Sequence, residues 1–293
     1  MEVVSAAKMR KAIEAVLKTR TYANLSWETV LRLAELAASD KNISHLFLKP
    51  RKQVKKVAII LITSNRGMCG GYNTAIITKA KESIAKHNLP TDFIIAGKKG
   101  AVVHNQNYEI IAEFEKNELL TDARDIYPIV KMVMADYSDK KYDKVFVAYT
   151  DFVNPAKQVP RVKQLLPVEI EASEQYLGIV GQDINIGSNS QLIKNNSKKH
   201  LSAGNYSYEY TFEPSPNEVL DKMIPRLVEV QLYQAFLEAN ASEHSARMTA
   251  MHQATEAASD MVSELTLFYN KARQAGITAE IAEISAGANA LAE

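Results

Sequence analysis

Two long stretches of the chain contain neither glycine nor proline, and this feature constrains the fold more than any other. Pro50 is the first glycine or proline of the chain, and neither residue type occurs within residues 226–275. Gly costs about 1 kcal/mol and Pro about 3 kcal/mol inside a helix, so both stretches predict long helices. A helix from Pro225 to about Leu291, with Pro225 in its first turn, would be roughly 100 Å long at ~1.5 Å per residue. No single globular core of a chain of 293 residues would cover such a rod.

The apolar spacing within both stretches predicts a coiled coil, because it repeats every 3.5 residues. The C-terminal repeat runs through Leu237, Ala241, His244, Met248, Met251, Thr255, Ala258, Val262, Leu265, Tyr269 and Ala272. The N-terminal repeat runs through Met9, Ile13, Val16, Arg20, Ala23, Trp27, Val30, Ala34 and Ala37. Both repeats mix small, polar and bulky residues, unlike a symmetric Leu/Ile zipper. We therefore expect a hairpin-like pairing of two unlike helices within one chain.

Between the two helical stretches, short apolar runs alternate with helical patterns. We expect strands at residues 56–64, 93–96, 108–114 and 144–150, and helices at 73–87 and 122–137. This alternation is typical of a mostly parallel sheet with crossover helices. Two further extended segments, 158–166 and 206–212, are expected to pair at an edge of the sheet. Residues 178–204, rich in Gly, Asn, Ser and Lys, are expected to form a mobile surface loop.

The predicted fold class is α/β, an antiparallel coiled coil of long N- and C-terminal helices with an inserted Rossmann-like, mostly parallel sheet domain. The domain boundaries that we expect are 1–49 for the N-terminal helix, 50–214 for the α/β domain and 215–293 for the C-terminal helix.

Composition and charge exclude several classes of protein. The chain carries 35 Lys and Arg against 34 Asp and Glu, which gives no basic excess for nucleic-acid binding. A single cysteine, Cys69, cannot form an internal disulfide, as expected in a reducing compartment. No run reaches the ~18 apolar residues of a membrane span, and the acidic Glu2 does not suit a signal peptide. We expect a cytosolic or matrix-facing protein that meets a membrane only through partners.

The glycine-rich segment 64–73 is the most distinctive candidate for chemistry, because it follows the first predicted strand and precedes the first predicted helix. Open α/β folds place ligands there, and glycines at a helix start can cradle phosphate. However, its Gly-x-x-Gly-Gly order matches neither the dinucleotide fingerprint nor a P-loop. A tight turn that allows close packing is the interpretation we favour.

Other candidate sites are weaker. Cys69 has no evident His partner to make it a nucleophile. The histidines show no metal-ligand spacing, and the carboxylates are scattered rather than paired for acid–base work. The six histidines are His45, His87, His104, His200, His244 and His252. We therefore predict no catalytic, cofactor-binding or metal-binding residues.

Three features of the helices suggest a surrounding protein. The basic residues Lys8, Arg10, Lys11 and Lys18 form either a solvated face or a contact for an acidic partner. The small residues of 239–258 would permit close approach by another chain. An apolar stripe at the C-terminal end of the helix would promote aggregation unless another protein covered it. This stripe consists of Ile277, Ile281, Ile284, Ala288 and Leu291.

Three stretches resemble the gamma subunit family of F-type ATP synthases. They are Ser-Ala-Ala-Lys-Met-Arg-Lys-Ala at 5–12, Asn-Arg-Gly-Met-Cys-Gly-Gly-Tyr-Asn at 65–73, and a C-terminal pair. The pair is Ala-Ser-Glu-His-Ser-Ala-Arg-Met at 241–248 and Tyr-Asn-Lys-Ala-Arg-Gln-Ala-Gly-Ile-Thr-Ala-Glu-Ile at 269–281. The resemblance implies a coiled coil that rotates inside a hexamer of alternating alpha and beta subunits. Proton-driven rotation of a ring would turn this coil, and the chemistry would belong to the beta subunits.

The resemblance also implies roles for particular residues. Contacts with beta subunits would fall to Lys8, Arg10, Lys11, Arg247, Arg273 and Gln274. An apolar bearing at the tip would hold Ile277, Ile281, Ile284 and Leu291. The foot would contact the membrane c-ring and the epsilon subunit through Tyr206, Tyr208, Glu209 and Tyr210. The complex would lie on the cytoplasmic face of the bacterial inner membrane, with neither direct membrane insertion nor nucleic acid.

Two departures from the family's pattern accompany the resemblance. Family members begin several helical turns earlier, so either Met1 is not the true start or the first helix is incomplete beside an exposed C-terminal tip. A redox switch of two neighbouring cysteines cannot be built from Cys69 alone. Two other functions stay open on the residues themselves: a nucleotide-dependent enzyme with its site at 67–71, and a passive coiled-coil scaffold.

Overall fold

A computed structural model of the chain describes residues 1–39, 45–48, 51, 53–106, 108–118, 122–168, 213 and 215–290. The chain divides into two compact units, Met1–Met248 and Thr249–Glu293. Several predictions lie outside the described residues. These are the strand at 206–212, the loop at 178–204, and the contacts of Tyr206, Tyr208, Glu209, Tyr210 and Leu291.

The first unit contains a pair of antiparallel helices formed by the two ends of the sequence. Helix α1 spans Glu2–Ser39, and it packs against a C-terminal helix that begins at Pro216. Thr19 Oγ1 donates to Gln234 Oε1 at 2.7 Å. His45, which follows α1 in the chain, pairs at 2.8 Å with Asp221, which precedes Gln234 on the C-terminal helix. The two contacts therefore run in opposite directions along the two segments. Three residues of the predicted N-terminal repeat, Met9, Val16 and Ala23, are buried, and so is the neighbouring Ala12. The predicted antiparallel pairing is confirmed.

Helix α1 ends at Ser39 rather than continuing to residue 49 as predicted. Residues 46–48 form a turn. Phe47 and Leu48 pack on the core of the α/β domain, and the Phe47 carbonyl accepts a hydrogen bond from Val168 N at 2.9 Å. Residues 46–48 therefore belong to the packing of the α/β domain and not to a helix.

The C-terminal helix begins nine residues before the predicted start at Pro225, and that prediction is wrong. Ser215 caps the helix start, because Glu218 N donates to Ser215 Oγ at 3.4 Å, and Ser215 Oγ in turn donates to Glu218 Oε1 at 3.2 Å. Pro216 thus takes the first-turn position that suits proline. Pro225 lies inside the helix, where it removes one backbone hydrogen bond. Burial of neighbouring apolar side chains offsets that cost, and these are Leu220, Ile224, Leu227 and Val228.

The α/β domain is built on a five-stranded sheet whose strand order is β3-β2-β1-β4-β5. The strands are β1 (Val57–Ile62), β2 (Thr91–Ala96), β3 (Glu109–Phe114), β4 (Lys144–Asn154) and β5 (Lys157–Leu166). Pairs β1–β2, β1–β4 and β2–β3 are parallel, and β4–β5 is antiparallel. The crossover helices are α2 (Tyr72–His87) and α3 (Tyr127–Ser138), with 3₁₀ helices at Lys98–Gln106 and Ala123–Ile126. The mostly parallel, Rossmann-like domain is confirmed.

Each face of the sheet is covered by helices, which explains the continuous apolar run of β1. Ala58, Ile60 and Ile62 belong to the cluster that includes residues of α1, α3 and the C-terminal helix. The alternate residues Val57, Ile59 and Leu61 pack with Ile76 and Ala80 of α2. The C-terminal helix therefore rests on one face of the sheet, next to α3.

The second unit contains the rest of this C-terminal helix, hereafter α4, which spans Pro216–Ala290. Its described side chains from 252 to 287 are exposed, so the predicted seam positions Val262, Leu265 and Tyr269 are not buried here. In the described part of the chain, no helix combines the length and the apolar character needed to cross a bilayer.

Candidate functional site: buried ion pairs around helix α4

The α/β domain encloses one segment of α4 almost completely. Residues 239–245 are each at most 2% exposed, although the sequence there is Ala-Asn-Ala-Ser-Glu-His-Ser. Their small side chains let domain backbone approach the helix. Ser242 Oγ donates to the Thr150 carbonyl at 3.0 Å, and Ser245 Oγ donates to the Pro155 carbonyl at 2.7 Å. We predicted that this small-residue stretch admits a surrounding protein, but over 239–245 the chain's own domain fills that space.

Glu243 is the centre of a first buried ion-pair cluster. One carboxylate oxygen accepts from Lys116 Nζ at 2.6 Å, and the other accepts from Arg247 at 2.8 Å. The Lys116 and Glu243 side chains are only 1% and 3% exposed. Burial by itself would raise the pKa of Glu243, but Lys116 and then Arg247 outweigh it and lower this pKa below its usual range. Glu243 is therefore a buried carboxylate held in its charged form by two cations.

Arg247 connects this cluster to the glycine-rich turn. Its guanidinium donates to the carbonyls of Arg66 and Gly67 at 3.3–3.5 Å. The turn needs unusual backbone angles, with φ of 62° at Met68 and 55° at Gly70. A hydrogen bond joins the two ends of the turn, because Asn73 Nδ2 donates to Ser64 Oγ at 2.7 Å. The turn thus presents carbonyl oxygens to a cation of α4, which favours our interpretation of it as a packing turn.

Glu118 joins the same region to α1. Its carboxylate pairs with Lys8, and Arg66 lies 3.7 Å away on the other oxygen. The hydrogen bond from Lys8 is the main cause of the lowered pKa of Glu118. The Glu118 backbone carbonyl lies 3.3 Å from His244 Nε2. Burial lowers the pKa of His244, so that this imidazole favours its neutral form.

A second buried cluster surrounds Glu238, which is 0% exposed. Arg20 of α1 donates to Glu238 Oε1 at 2.8 Å, and the backbone N–H of Phe152 donates to Oε2 at 3.0 Å. Asp151, also 0% exposed, lies 2.8 Å from Arg161 Nε. Burial raises the pKa of Glu238, against the effect of Arg20. Loss of hydration lowers the pKa of Lys163 to about 8, with Asp151 opposing the change.

The two clusters contact α4 on different sides. Glu238 and Glu243 are five residues apart, and at 3.6 residues per turn their directions differ by about 140° around the helix axis. One faces α1 and strand β4, and the other faces the turn and the segment after β3. This arrangement opposes rotation of α4 about its own axis within the domain.

The structure brings only part of the predicted site together. Lys8 and Arg247 are paired within the chain, whereas Arg10 and Lys11 are exposed on α1. In the second unit, Arg273, Gln274, Ile277, Ile281 and Ile284 are exposed. Contact of these residues with partner subunits stays a prediction.

Sequence reasoning missed the residues that hold α4 in place. Lys116 and Glu243 are 127 positions apart, and Arg20 and Glu238 are 218 apart. Charged residues of this kind look like ordinary surface residues in a single sequence. The one indication in the sequence was that Glu243 and His244 interrupt a run of small residues, which marks them as polar side chains in a closely packed segment. Among the described residues, no group of three or more His, Cys, Asp or Glu side chains could hold a metal ion.

The fold and these clusters define a class of protein in which an α/β domain, inserted between two terminal helices, holds the C-terminal helix through buried ion pairs. The family model described as ATP synthase matches residues 1–291. The ATP synthase gamma chain of Dehalococcoides mccartyi (strain CBDB1) is 38% identical over 100% of this chain and 92% of its own length. That of Herpetosiphon aurantiacus is 38% identical over 99% of this chain and 92% of its own.

Solved structures share the fold. The chain resembles one from the central stalk and c-ring of Tetrahymena thermophila mitochondrial ATP synthase, with a TM-score of 0.61, 20% identity, and coverage of 87% of this chain and 97% of that one. A rotor chain of Euglena gracilis mitochondrial ATP synthase is similar with a TM-score of 0.52 and 16% identity, and the match covers 94% of this chain and 98% of that one. The chain belongs to the ATP synthase gamma chain family.

Proposed function

We propose that this chain is the rotor that couples proton-driven ring rotation to ATP synthesis and hydrolysis in an F-type ATP synthase. The observation that carries the proposal is the double attachment of α4. The helix pairs antiparallel with α1 and is held in the α/β domain through the buried carboxylates Glu238 and Glu243. A torque applied to the domain would therefore turn the helix with it.

The mechanism is conformational, and the chain contributes no reacting group. An asymmetric helix pair presents a different face to each beta subunit and so gives each catalytic site a different affinity. Turning the pair changes those affinities in sequence. Because coupling between sites is reciprocal, ATP hydrolysis would also drive the rotor backward.

The partners that we propose are the alpha and beta subunits of the catalytic hexamer, the epsilon subunit and the membrane c-ring. Exposed Arg10 and Lys11, with Arg273 and Gln274, supply cationic and polar contacts for acidic segments of beta subunits. The exposed Ile277, Ile281 and Ile284 suit an apolar bearing. Tyr206, Tyr208, Glu209 and Tyr210 remain our candidates for the ring contact. The chain would lie on the cytoplasmic face of the bacterial inner membrane, attached through the complex.

Copurification tests the proposal against a passive scaffold. The chain is expressed with tagged alpha and beta subunits, and the purified complex is quantified. We expect both partners in molar excess over this chain, together with ATPase activity. An equimolar complex, or none, would contradict the rotor assignment. Equilibrium dialysis with ATP tests the alternative enzyme, since tight stoichiometric binding to the isolated chain, lost on substitution within 67–71, would favour it.

Two arginine variants separate partner contact from internal packing. R273A changes an exposed residue, so we expect weaker coupling with unchanged thermal unfolding of the isolated chain. R247A removes a buried partner of Glu243, and we expect both weaker coupling and a lower unfolding temperature, with the α/β domain still folded. Proton-driven ATP synthesis at the wild-type rate in R273A would argue against the contact role of that residue.

A further inference from the structure

Three consecutive residues after β3 contact α4, and we call residues 116–118 the strap. Lys116 Nζ donates to Glu243 at 2.6 Å. Asn240 Nδ2 donates to the Asn117 carbonyl at 3.1 Å, and His244 Nε2 lies 3.3 Å from the Glu118 carbonyl. The strap is in turn anchored to the glycine-rich turn, because Asn65 Nδ2 donates to the Lys116 carbonyl at 2.6 Å. It therefore lies across α4 with a polar contact from every residue.

Lys116 is the unusual member of the strap. A lysine that is 2% exposed is rare, and its ammonium group also lies 5.7 Å from the Tyr72 ring centroid. A buried ion pair adds little net stability compared with apolar side chains of similar volume. Stability alone thus gives no reason for Lys116 and Glu243 to be charged. A directional pair does, however, fix both the rotation and the sliding position of the helix that carries Glu243.

The position of this pair matches that role. The Lys116–Glu243 contact lies about 140° around α4 from the Arg20–Glu238 contact. Bulky apolar side chains such as Phe236 and Leu237 hold α4 up to this point, but over 239–245 the only apolar side chains are alanines, which interlock little and by themselves resist turning or slipping of this segment only weakly. Two ion pairs on different sides oppose such movement in both senses.

We propose that Lys116 is a positioning residue for energy coupling, holding α4 at one rotational setting in the α/β domain so that torque passes between them without slip. This inference rests on the proposed rotor function. It assigns a part in the transmission of torque to Lys116, a buried cation outside the predicted contacts with other subunits, beside the Arg20–Glu238 pair.

Coupling measurements on the complete, membrane-reconstituted complex test the proposal. The variants are K116M, which keeps the side-chain length and removes the charge, and the double variant K116M/E243Q, which leaves no unpaired charge. K98M is the matched control, because Lys98 pairs with Glu115 on the surface with side chains 69% and 71% exposed. For each complex, the ATPase rate, ATP-driven proton pumping and thermal unfolding are recorded.

We expect K116M to lose proton pumping per ATP hydrolysed several-fold while its ATPase rate stays close to that of K98M. The double variant should regain thermal stability relative to K116M, yet remain poorly coupled. Wild-type pumping per ATP in K116M, or in the double variant, would overturn the proposal and leave the pair a structural feature only. If the wild-type complex itself hydrolysed ATP without pumping protons, the rotor function would fail instead, which is a distinguishable result.

Discussion

Replacing Arg20 by Met should destabilise the first unit strongly and in a pH-dependent way. Arg20 is the cation nearest to Glu238, whose side chain is 0% exposed. Removing one partner of a buried ion pair costs about 3–5 kcal/mol. Glu238 keeps hydrogen bonds from Phe152 N at 3.0 Å and Gln234 Nε2 at 3.2 Å. We therefore expect a smaller loss of about 2–3 kcal/mol in the free energy of unfolding.

The pH dependence follows from the Glu238 carboxyl. Burial raises its pKa above 4.5, and Arg20 opposes the rise. The folded chain consequently binds this proton more tightly than the unfolded chain, so stability falls as pH rises above 4.5. Without Arg20 the pKa rises further, and protonation at low pH relieves the buried charge. The loss caused by R20M should be larger at about pH 8 than at about pH 5.

Urea unfolding of the full chain measures both effects. Trp27 of α1 is the single tryptophan and provides the fluorescence signal. With an m-value of ~2 kcal/mol/M, the loss would lower the midpoint by about 1 M. K18M is the matched control, since the Lys18–Glu14 pair lies on the same helix with side chains 72% and 66% exposed, and no shift is expected. An R20M midpoint equal to that of K18M, or a larger loss at low pH, would refute the reasoning.

Three further predictions use other parts of the chain. Gly97 has φ of 105°, and an added Cβ would collide with the Thr63 carbonyl, so G97A should lower the free energy of unfolding by more than about 1 kcal/mol. Gly276 has open space around it, so G276A should raise the helicity measured by circular dichroism. Equal effects of G97A and G276A on stability and helicity would contradict this. S242L places bulk where the hydroxyl lies 3.0 Å from the Thr150 carbonyl, and should cost about 1–3 kcal/mol in urea unfolding; exposed S263L should not, and a stable S242L would show that the helix is loosely held. I281D changes an exposed residue of the second unit, so we expect unchanged urea unfolding but reduced ATP-driven pumping in the complex, and full pumping would count against a bearing at the tip.

Local patterns were sufficient to predict the elements of the fold. The apolar run of β1 required a strand with both faces covered, and all six residues are buried. The absence of Gly and Pro within 226–275 predicted a helix that the structure extends to Pro216–Ala290. The start at Pro225 was wrong because a single proline can be accommodated where apolar burial is dense, and the capping residues Ser215 and Glu218 were not recognised.

The candidate site could not be predicted in the same way. The roles of Lys116 and Arg20 depend on partners that lie 127 and 218 positions away in the sequence. The small residues of 239–245 correctly indicated close approach by protein, but composition does not distinguish the chain's own domain from a separate subunit. Arg247 is expected at a partner, which stays a prediction, and its contacts with Glu243 and the glycine-rich turn could not be read from the sequence.

Direct observation of rotation tests the central claim, that the α/β domain and α4 turn together inside a fixed hexamer. K86C places a thiol on the exposed side of α2, and Cys69 is only 2% exposed, so a bead can be attached at the engineered position. The hexamer is immobilised and the bead is followed by microscopy while ATP is added. We predict unidirectional rotation that stops when ATP is removed. A bead that fluctuates without net direction, while the same complexes hydrolyse ATP, would contradict the account.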